Sequence, residues 1–141
     1  MSRDGLTLYV ASNHGVTGVH VFYATRATTT APFGARQLLF PNGAYDDWGV
    51  SVTSDGLGAV LSSDRSGNSQ LYVTSRASTA AAFGALALAA NTSSPKAEEG
   101  PRSPALDVPG GISADGCTLY MSSNRSDAGT KSDLYVARRP K

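Results

Sequence analysis

The chain has 141 residues, of which 40% are hydrophobic, and carries a formal net charge of +1. This length predicts one domain spanning residues 1–141. The near-neutral charge gives no electrostatic reason to expect a nucleic-acid partner or a membrane-surface partner. The single cysteine, Cys117, excludes a disulfide within the chain. No stretch is apolar enough to predict membrane insertion, and Met1 leads directly into patterned sequence rather than into a signal peptide.

One pattern of strand, Asp-Gly turn, strand, polar loop and strand recurs along the chain. The turn has the form Ser/Thr-x-Asp-Gly, and a run with high β-propensity follows it each time. The run ends in Asn or Asp followed by a basic residue. Asp-Gly between two such runs is a strong hairpin signal, because glycine adopts a positive φ without steric cost. The three turns occupy residues 2–5, 53–56 and 113–116.

In chain order, the first copy predicts three strands, the second four and the third three. Runs of Val, Leu, Tyr and Phe bounded by Gly, Asn, Asp and Ser are typical of strands. The alanine-rich stretch 79–90 is interrupted by Phe83-Gly84, so we interpret it as a turn followed by a strand. The predicted strands cover residues 6–12, 21–26, 36–40, 47–52, 57–63, 71–76, 86–90, 107–112, 117–123 and 134–139.

Four-stranded units that repeat every ~50 to 60 residues are typical of β-propeller blades. The sequence therefore predicts an all-β fold of three four-stranded antiparallel repeats. The first repeat lacks its inner strand and the last lacks its outer strand. A polar, Pro-rich loop at residues 91–106 lies outside the repeat. The predicted blades cover approximately residues 2–40, 47–92 and 107–139.

The repeated sequence Ser-x-Asp-Gly-x-x-Leu-Tyr-x-x-Ser-Asn/Asp-Arg, followed by Leu-Tyr-Val-x-x-Arg, resembles the WD-repeat-like blade of TolB-type β-propellers. The resemblance covers residues 2–92 and 107–139. It implies the fold rather than one activity, because such blades serve binding proteins and the non-catalytic domains of peptidases alike. TolB-type relatives are usually extracytoplasmic, whereas no export signal is visible here, so the compartment stays open.

Three blades do not close a ring, because propellers typically have about four to eight. The outer flanks of the first and third blades are expected to expose apolar faces and strand edges. Two arrangements would cover them. The chain is a truncated remnant of a longer TolB-like propeller, or two chains form a homodimer that closes a six-bladed ring, for which the TolB type is the precedent.

The connections between strands indicate which end of the blades could bind a partner. The first and third connections of each unit keep their length in the complete copies. The second connection and the crossover between units absorb all the variation in length, and in an up-and-down blade they lie at the same end. We therefore place any binding site at that end. The candidate residues are Tyr45, Asp46, Asp47, Trp48, Asp107, His14 and Arg102.

These candidates differ in how they relate to the repeat. Asp47 has a counterpart in Asp107, which favours a structural role at the crossover. Trp48 aligns with Val108, which favours packing between blades over a ligand platform. Asp46 and Tyr45 have no equivalents, so they are the better candidates for contact with a partner.

The pattern predicts neither a cofactor nor a metal. His14 and His20 could share a metal, but no further Cys or His is near them to complete the site. The loops 66–69 and 126–129 lack the dense, regularly spaced oxygen ligands that calcium needs.

The function that follows is a non-catalytic binding or scaffold module with a protein, peptide or saccharide partner. No nucleophile elbow, zinc-protease or phosphate-loop motif is present, so we do not expect an enzyme. The alternative is a propeller-type glycosidase or lyase with axial carboxylates. It would require two of Asp46, Asp47 and Asp107 to face the channel about 5 to 10 Å apart.

Overall fold

The structure is a computed structural model, and it describes residues 1–40, 44–89, 106–124 and 131–138. These ranges contain ten β-strands and no helix, which confirms the all-β prediction. No helix in the described ranges could therefore cross a membrane. The strands are β1 (Thr7–Ser12), β2 (His20–Thr25), β3 (Gln37–Leu38), β4 (Asp47–Val52), β5 (Gly58–Ser63), β6 (Gln70–Ser75), β7 (Ala87–Leu88), β8 (Asp107–Ile112), β9 (Thr118–Ser123) and β10 (Asp133–Arg138).

The strands form three antiparallel sheets, in which neighbours along the chain are also neighbours in the sheet. The first sheet contains β1 to β3, the middle sheet β4 to β7 and the last sheet β8 to β10. Within the described residues the sheets thus have three, four and three strands, which is the distribution that the repeat predicts. The division into units at 2–40, 47–92 and 107–139 stays a prediction.

The outer strands β3 and β7 are shorter than predicted, and each pairs over two residues instead of five. One further backbone bond prolongs each pairing, from Leu39 N–H to the Val21 carbonyl and from Ala89 N–H to the Leu71 carbonyl. The side chains of Leu38 and Leu88 are about half exposed. The predicted strand residues beyond each pairing include Phe40 and Ala89, which are buried in the core although they lie outside the strands.

The Asp-Gly turn has the same hydrogen bonds in all three copies. The Ser or Thr hydroxyl donates to the Asp Oδ1 at 2.6 Å, and the same oxygen accepts an amide N–H two residues further along. The glycine adopts a positive φ each time, which explains the choice of residue. The glycines are Gly5 (φ 73°), Gly56 (74°) and Gly116 (69°).

An arginine fastens the β2–β3 connection to the Asp-Gly turn beside it. Arg26 donates from Nε to the Gly5 carbonyl at 2.8 Å, and its guanidinium lies 4.5 Å from the centre of the Phe33 ring. The middle sheet repeats the bond at 2.7 Å and the ring contact at 4.4 Å, with Arg76, Gly56 and Phe83. The end of the sheets that carries these contacts is called the turn end below.

The core lies between the sheets, because successive side chains of a strand point to opposite faces. We call the face toward the next sheet in chain order the forward face and the other the backward face. In the middle sheet, Leu61 points backward to the first sheet and Val60 points forward to the last sheet. The buried cluster between the first two sheets contains Val21, Phe40 and Leu61, and that between the last two contains Val60, Leu71, Ala89 and Met121.

Candidate functional site at the crossover end

The crossover end is the end of the sheets opposite the turn end. It carries the β1–β2 connection, the β5–β6 connection and the starts of β4 and β8. Four of the seven candidate residues, 45–48, form one segment there at the start of β4.

Backbone hydrogen bonds fix this segment against two sheets. Asp46 and Asp64 are joined twice: Asp46 N–H donates to the Asp64 Oδ1 at 2.9 Å, and Asp64 N–H donates to the Asp46 carbonyl at 3.1 Å. On the other side, Asp47 N–H donates to the Val19 carbonyl at 2.7 Å, and Val19 N–H donates to the Asp46 Oδ1 at 2.7 Å. The segment is therefore held in place by both neighbouring connections.

Gly18 makes the approach to Asp46 possible. Its φ is +83°, and a Cβ at this position would lie 2.6 Å from the Asp46 Oδ1. A side chain would therefore be strained and would also collide with the carboxylate. Because that carboxylate is half-buried and bonded to Val19, the structure gives Asp46 a positioning contact within the chain.

The start of β8 repeats part of this arrangement. Leu106 N–H donates to the Asn124 Oδ1 at 2.8 Å, as Asp46 does to Asp64. Asp107 N–H donates to the Ser69 carbonyl at 3.4 Å, and the Asp107 carbonyl accepts the Ser62 hydroxyl. Asp107 has no exposed surface. At each crossover the aspartate N–H thus donates to a carbonyl of the preceding sheet. The structural role of these aspartates stays a prediction.

The carboxylate of Asp47 is buried beside one guanidinium. Asp47 is 1% exposed, and its Oδ1 lies 3.1 Å from the Arg65 Nη2. Arg65 also donates from Nε to the Ser63 hydroxyl at 3.0 Å. The second oxygen, Oδ2, has no hydrogen-bond partner among the described residues. Burial raises the pKa of Asp47, and the Ser63 hydroxyl and the Arg65 charge offset only part of the rise.

The Arg65 guanidinium also lies near two aromatic rings, one exposed and one buried. Its guanidinium lies 5.7 Å from the centre of the Tyr45 ring and 5.0 Å from that of Tyr72. Tyr72 is buried, whereas Tyr45 is 43% exposed and Trp48 is 42% exposed. At this exposure more than half of the Trp48 surface is covered, and its packing between blades stays a prediction. The name aromatic patch is used below for three residues: Tyr45 and Trp48, which are exposed on the same segment, and Arg65, which lies behind the Tyr45 ring and is 16% exposed.

His14 and Arg102 are the remaining candidates. His14 is exposed on the β1–β2 connection. Its carbonyl accepts a hydrogen bond from the Arg36 Nη2, and its backbone N–H donates to the Ser12 hydroxyl. His20 is buried, with its Nε2 2.9 Å from the Thr17 carbonyl. The described part of the chain holds no group of three His, Cys, Asp or Glu residues placed to bind a metal. Arg102 lies outside the described residues.

Two features of the structure escaped the sequence analysis. The first is the pairing of Arg65 with Asp47, since the recurring Asn/Asp-Arg pattern indicated a structural arginine but not its partner. The second is a cleft of about 970 Å³ at the turn end, between the first and middle sheets. Its walls include Tyr9, Tyr23 and Arg76. A sequence feature that could have indicated this cleft is the pair Tyr9 and Tyr23 in the first copy. The second copy has Val60 and Val73 at the same positions.

No family model matches the chain, and no curated protein matches it. Among solved structures, TolB from Acinetobacter baumannii matches 98% of this chain with a TM-score of 0.58 and 16% sequence identity. The chain spans 28% of the length of that structure. At this identity the likeness shows the fold alone. The protein therefore has an all-β, propeller-like fold similar to that of TolB, as the repeat resemblance implied.

Proposed function

We propose that the chain is a non-catalytic binding module that engages a protein or peptide partner through the aromatic patch at its crossover end. The observation that carries this proposal is the exposure of Tyr45 and Trp48, at 43% and 42%, on a segment fixed by backbone hydrogen bonds on both sides. Exposed aromatic side chains on a fixed backbone lose little entropy when a partner binds.

The composition of the patch supports a protein or peptide partner. Trp, Tyr and Arg are the residues most enriched among those that dominate the energy of protein interfaces. Here the Arg65 guanidinium lies behind Tyr45 and is itself held by Asp47. This support orients the tyrosine ring before a partner arrives.

The alternative of a carbohydrate-active enzyme has less support from the geometry. A glycosidase needs two carboxylates that reach the substrate. Asp47 and Asp107 are 1% and 0% exposed, and the Asp46 Oδ1 is bonded to a backbone amide. The carboxylates of Asp46 and Asp47 thus bind groups within the chain, and Asp107 has no exposed surface, so we favour binding over catalysis.

The test is a selection of phage-displayed random peptides on the immobilised full chain. We expect enriched peptides to bind the wild type and to lose at least ~10-fold in affinity for Trp48→Ala and for Tyr45→Ala, because truncated aromatic anchors cost that much at interface centres. Affinity is measured by titration calorimetry with the synthetic peptide.

Tyr23→Ala serves as the matched control, because it removes a tyrosine from the cleft at the opposite end. Its affinity for the selected peptides should equal that of the wild type. Peptides that bind Trp48→Ala and Tyr45→Ala as tightly as the wild type would contradict the proposal, as would a selection that enriches no peptide.

A further inference from the structure

The two outer flanks of the array repeat surfaces that the chain buries elsewhere. The forward face of the last sheet has no sheet packed on it in the described residues, and neither does the backward face of the first sheet. Both faces are built from the same strand positions that form the two buried clusters. The repeat therefore allows each flank residue to be compared with an interior counterpart.

On the forward flank the counterparts differ sharply in exposure. Leu134 is 75% exposed, whereas Leu71, at the same position of the middle sheet, is 0% exposed. Tyr120 is 44% exposed, whereas its counterpart Val60 is 8% exposed. The last sheet thus presents to solvent the positions that the middle sheet uses to pack against its neighbour.

On the backward flank of the first sheet, the contrast in exposure is confined to Val10. Val10 is 42% exposed, whereas the equivalent residues Leu61 and Met121 are 0% and 2% exposed. Phe22, its cross-strand partner, is covered on this side by the Arg36 guanidinium, 4.3 Å from the ring centre. Phe22 is 5% exposed, close to the 6% of its counterpart Tyr72. The exposed part of this flank is therefore Val10 with the Arg36 side chain, and Val10 occupies the position that Met121 has in the interior contact.

We propose that a second copy of this chain docks on these flanks, with the forward flank of each copy on the backward flank of the other. The occupant is a second copy because both halves of the required interface lie on the same chain. The chain already makes this type of contact twice, between its first and middle sheets and between its middle and last sheets. The new contact is a third repetition of it.

Two such contacts, related by one twofold axis, close a ring of six sheets. Head-to-tail contacts form rings if the rotation between copies closes and open filaments if it does not. Six sheets lie within the range of about four to eight that propeller rings use. This assembly does not depend on the proposed peptide-binding function, because the aromatic patch lies on neither flank.

The test is the mass of the full chain in solution, measured by sedimentation equilibrium over a concentration series. We expect twice the chain mass of 14.5 kDa. Leu134→Glu should raise the dissociation constant at least ~30-fold, as expected for a charge at an interface centre. Because Leu134 is 75% exposed within one copy, the variant should keep the wild-type circular dichroism spectrum.

Two further variants sharpen this test. Leu71 of the middle sheet and Met121 of the last sheet belong to one buried cluster. Leu134 is the counterpart of Leu71, and Val10 is the counterpart of Met121. Leu134 of one copy should therefore face Val10 of the other. The double variant Val10→Lys with Leu134→Glu should therefore recover dimer formation relative to Leu134→Glu. Leu88→Glu is the control, since Leu88 is 51% exposed but belongs to the middle sheet. It should leave the mass unchanged.

A monomer throughout the concentration series would overturn the proposal. So would a dimer that persists in Leu134→Glu, or polymers that grow with concentration instead of a closed dimer. Peptide affinity measured on the monomeric Leu134→Glu variant tests the aromatic patch separately, so each proposal can fail without the other.

Discussion

At the scale of single residues, the buried Asp47 is expected to give the protein an unusual pH dependence. Burial raises the pKa of Asp47 above its ordinary value of 3.8, so the folded state holds this proton more tightly than the unfolded state. Between the ordinary pKa of 3.8 and the higher pKa of the folded state, the folded state binds more protons than the unfolded state. The contribution of Asp47 to stability therefore falls as pH rises through this range.

We therefore expect the free energy of unfolding of the wild type, relative to Asp47→Asn, to decrease as pH rises from below 3.8 to neutral. The variant retains the size of the side chain but cannot ionise. Urea unfolding at a series of pH values measures the difference. A difference that stays constant, or grows as pH rises, would show that Asp47 is not desolvated in the folded state.

The contribution of Asp55 to stability should change with pH in the opposite direction to that of Asp47. The Thr53 hydroxyl and the Leu57 amide lower the pKa of Asp55, so its contribution is present above 3.8 and is lost as pH falls through the folded pKa. The advantage of the wild type over Asp55→Asn should therefore shrink on acidification. Urea unfolding at the same series of pH values measures the difference in unfolding free energy between the wild type and Asp55→Asn. A difference that grows on acidification would argue against the hydrogen bonds from Thr53 and Leu57 to Asp55.

The repeated tyrosines offer a test of packing. Tyr72 is 6% exposed and Tyr135 is partly buried against the cluster between the last two sheets. Tyr72→Ala should cost about 2–4 kcal/mol of unfolding free energy, and Tyr135→Ala should cost less. Tyr45→Ala, at an exposed position, should stay within about 0.5 kcal/mol of the wild type. Equal values for Tyr72→Ala and Tyr45→Ala would contradict the packing described.

At the scale of the elements, the Asp-Gly turn should tolerate little change. Gly56 has a φ of +74°, and a Cβ there would lie 3.1 Å from the Thr79 Cγ2. Gly67 has a φ of +99° but nothing within 4 Å of its Cβ position. Both alanine variants carry backbone strain of ~1 kcal/mol. Gly56→Ala should be destabilised further by the contact, as measured by urea unfolding, and equal losses would count against that close contact.

The elements that the sequence predicted well are those determined by local chemistry. An Asp-Gly turn needs only its own hydroxyl, carboxylate and positive φ, and the three copies fold alike. The outer strands were predicted too long, because the apolar pattern continues to Phe40 and Ala89, which are buried beyond the two-residue pairings. The position of Arg65 between Asp47 and Tyr45 was not predictable, since it joins residues from two separate connections.

At the scale of the whole molecule, exposure separates residues that the sequence makes equivalent. Leu71 and Leu134 occupy the same position of the same repeat, yet one is 0% and the other 75% exposed. Only the position of a sheet in the array decides this difference, so no local pattern could reveal it. The sequence did predict which end of the array varies, and the aromatic patch lies at that end.

Amide hydrogen exchange on the full chain, with and without a peptide selected on it, locates the binding site most directly. We expect the peptide to slow exchange at residues 44–48 and 64–65, at the crossover end. We expect no change at residues 53–57 and 79–83, which line the cleft and the turns. Protection confined to those turn-end residues would place the binding site in the cleft and contradict the proposal.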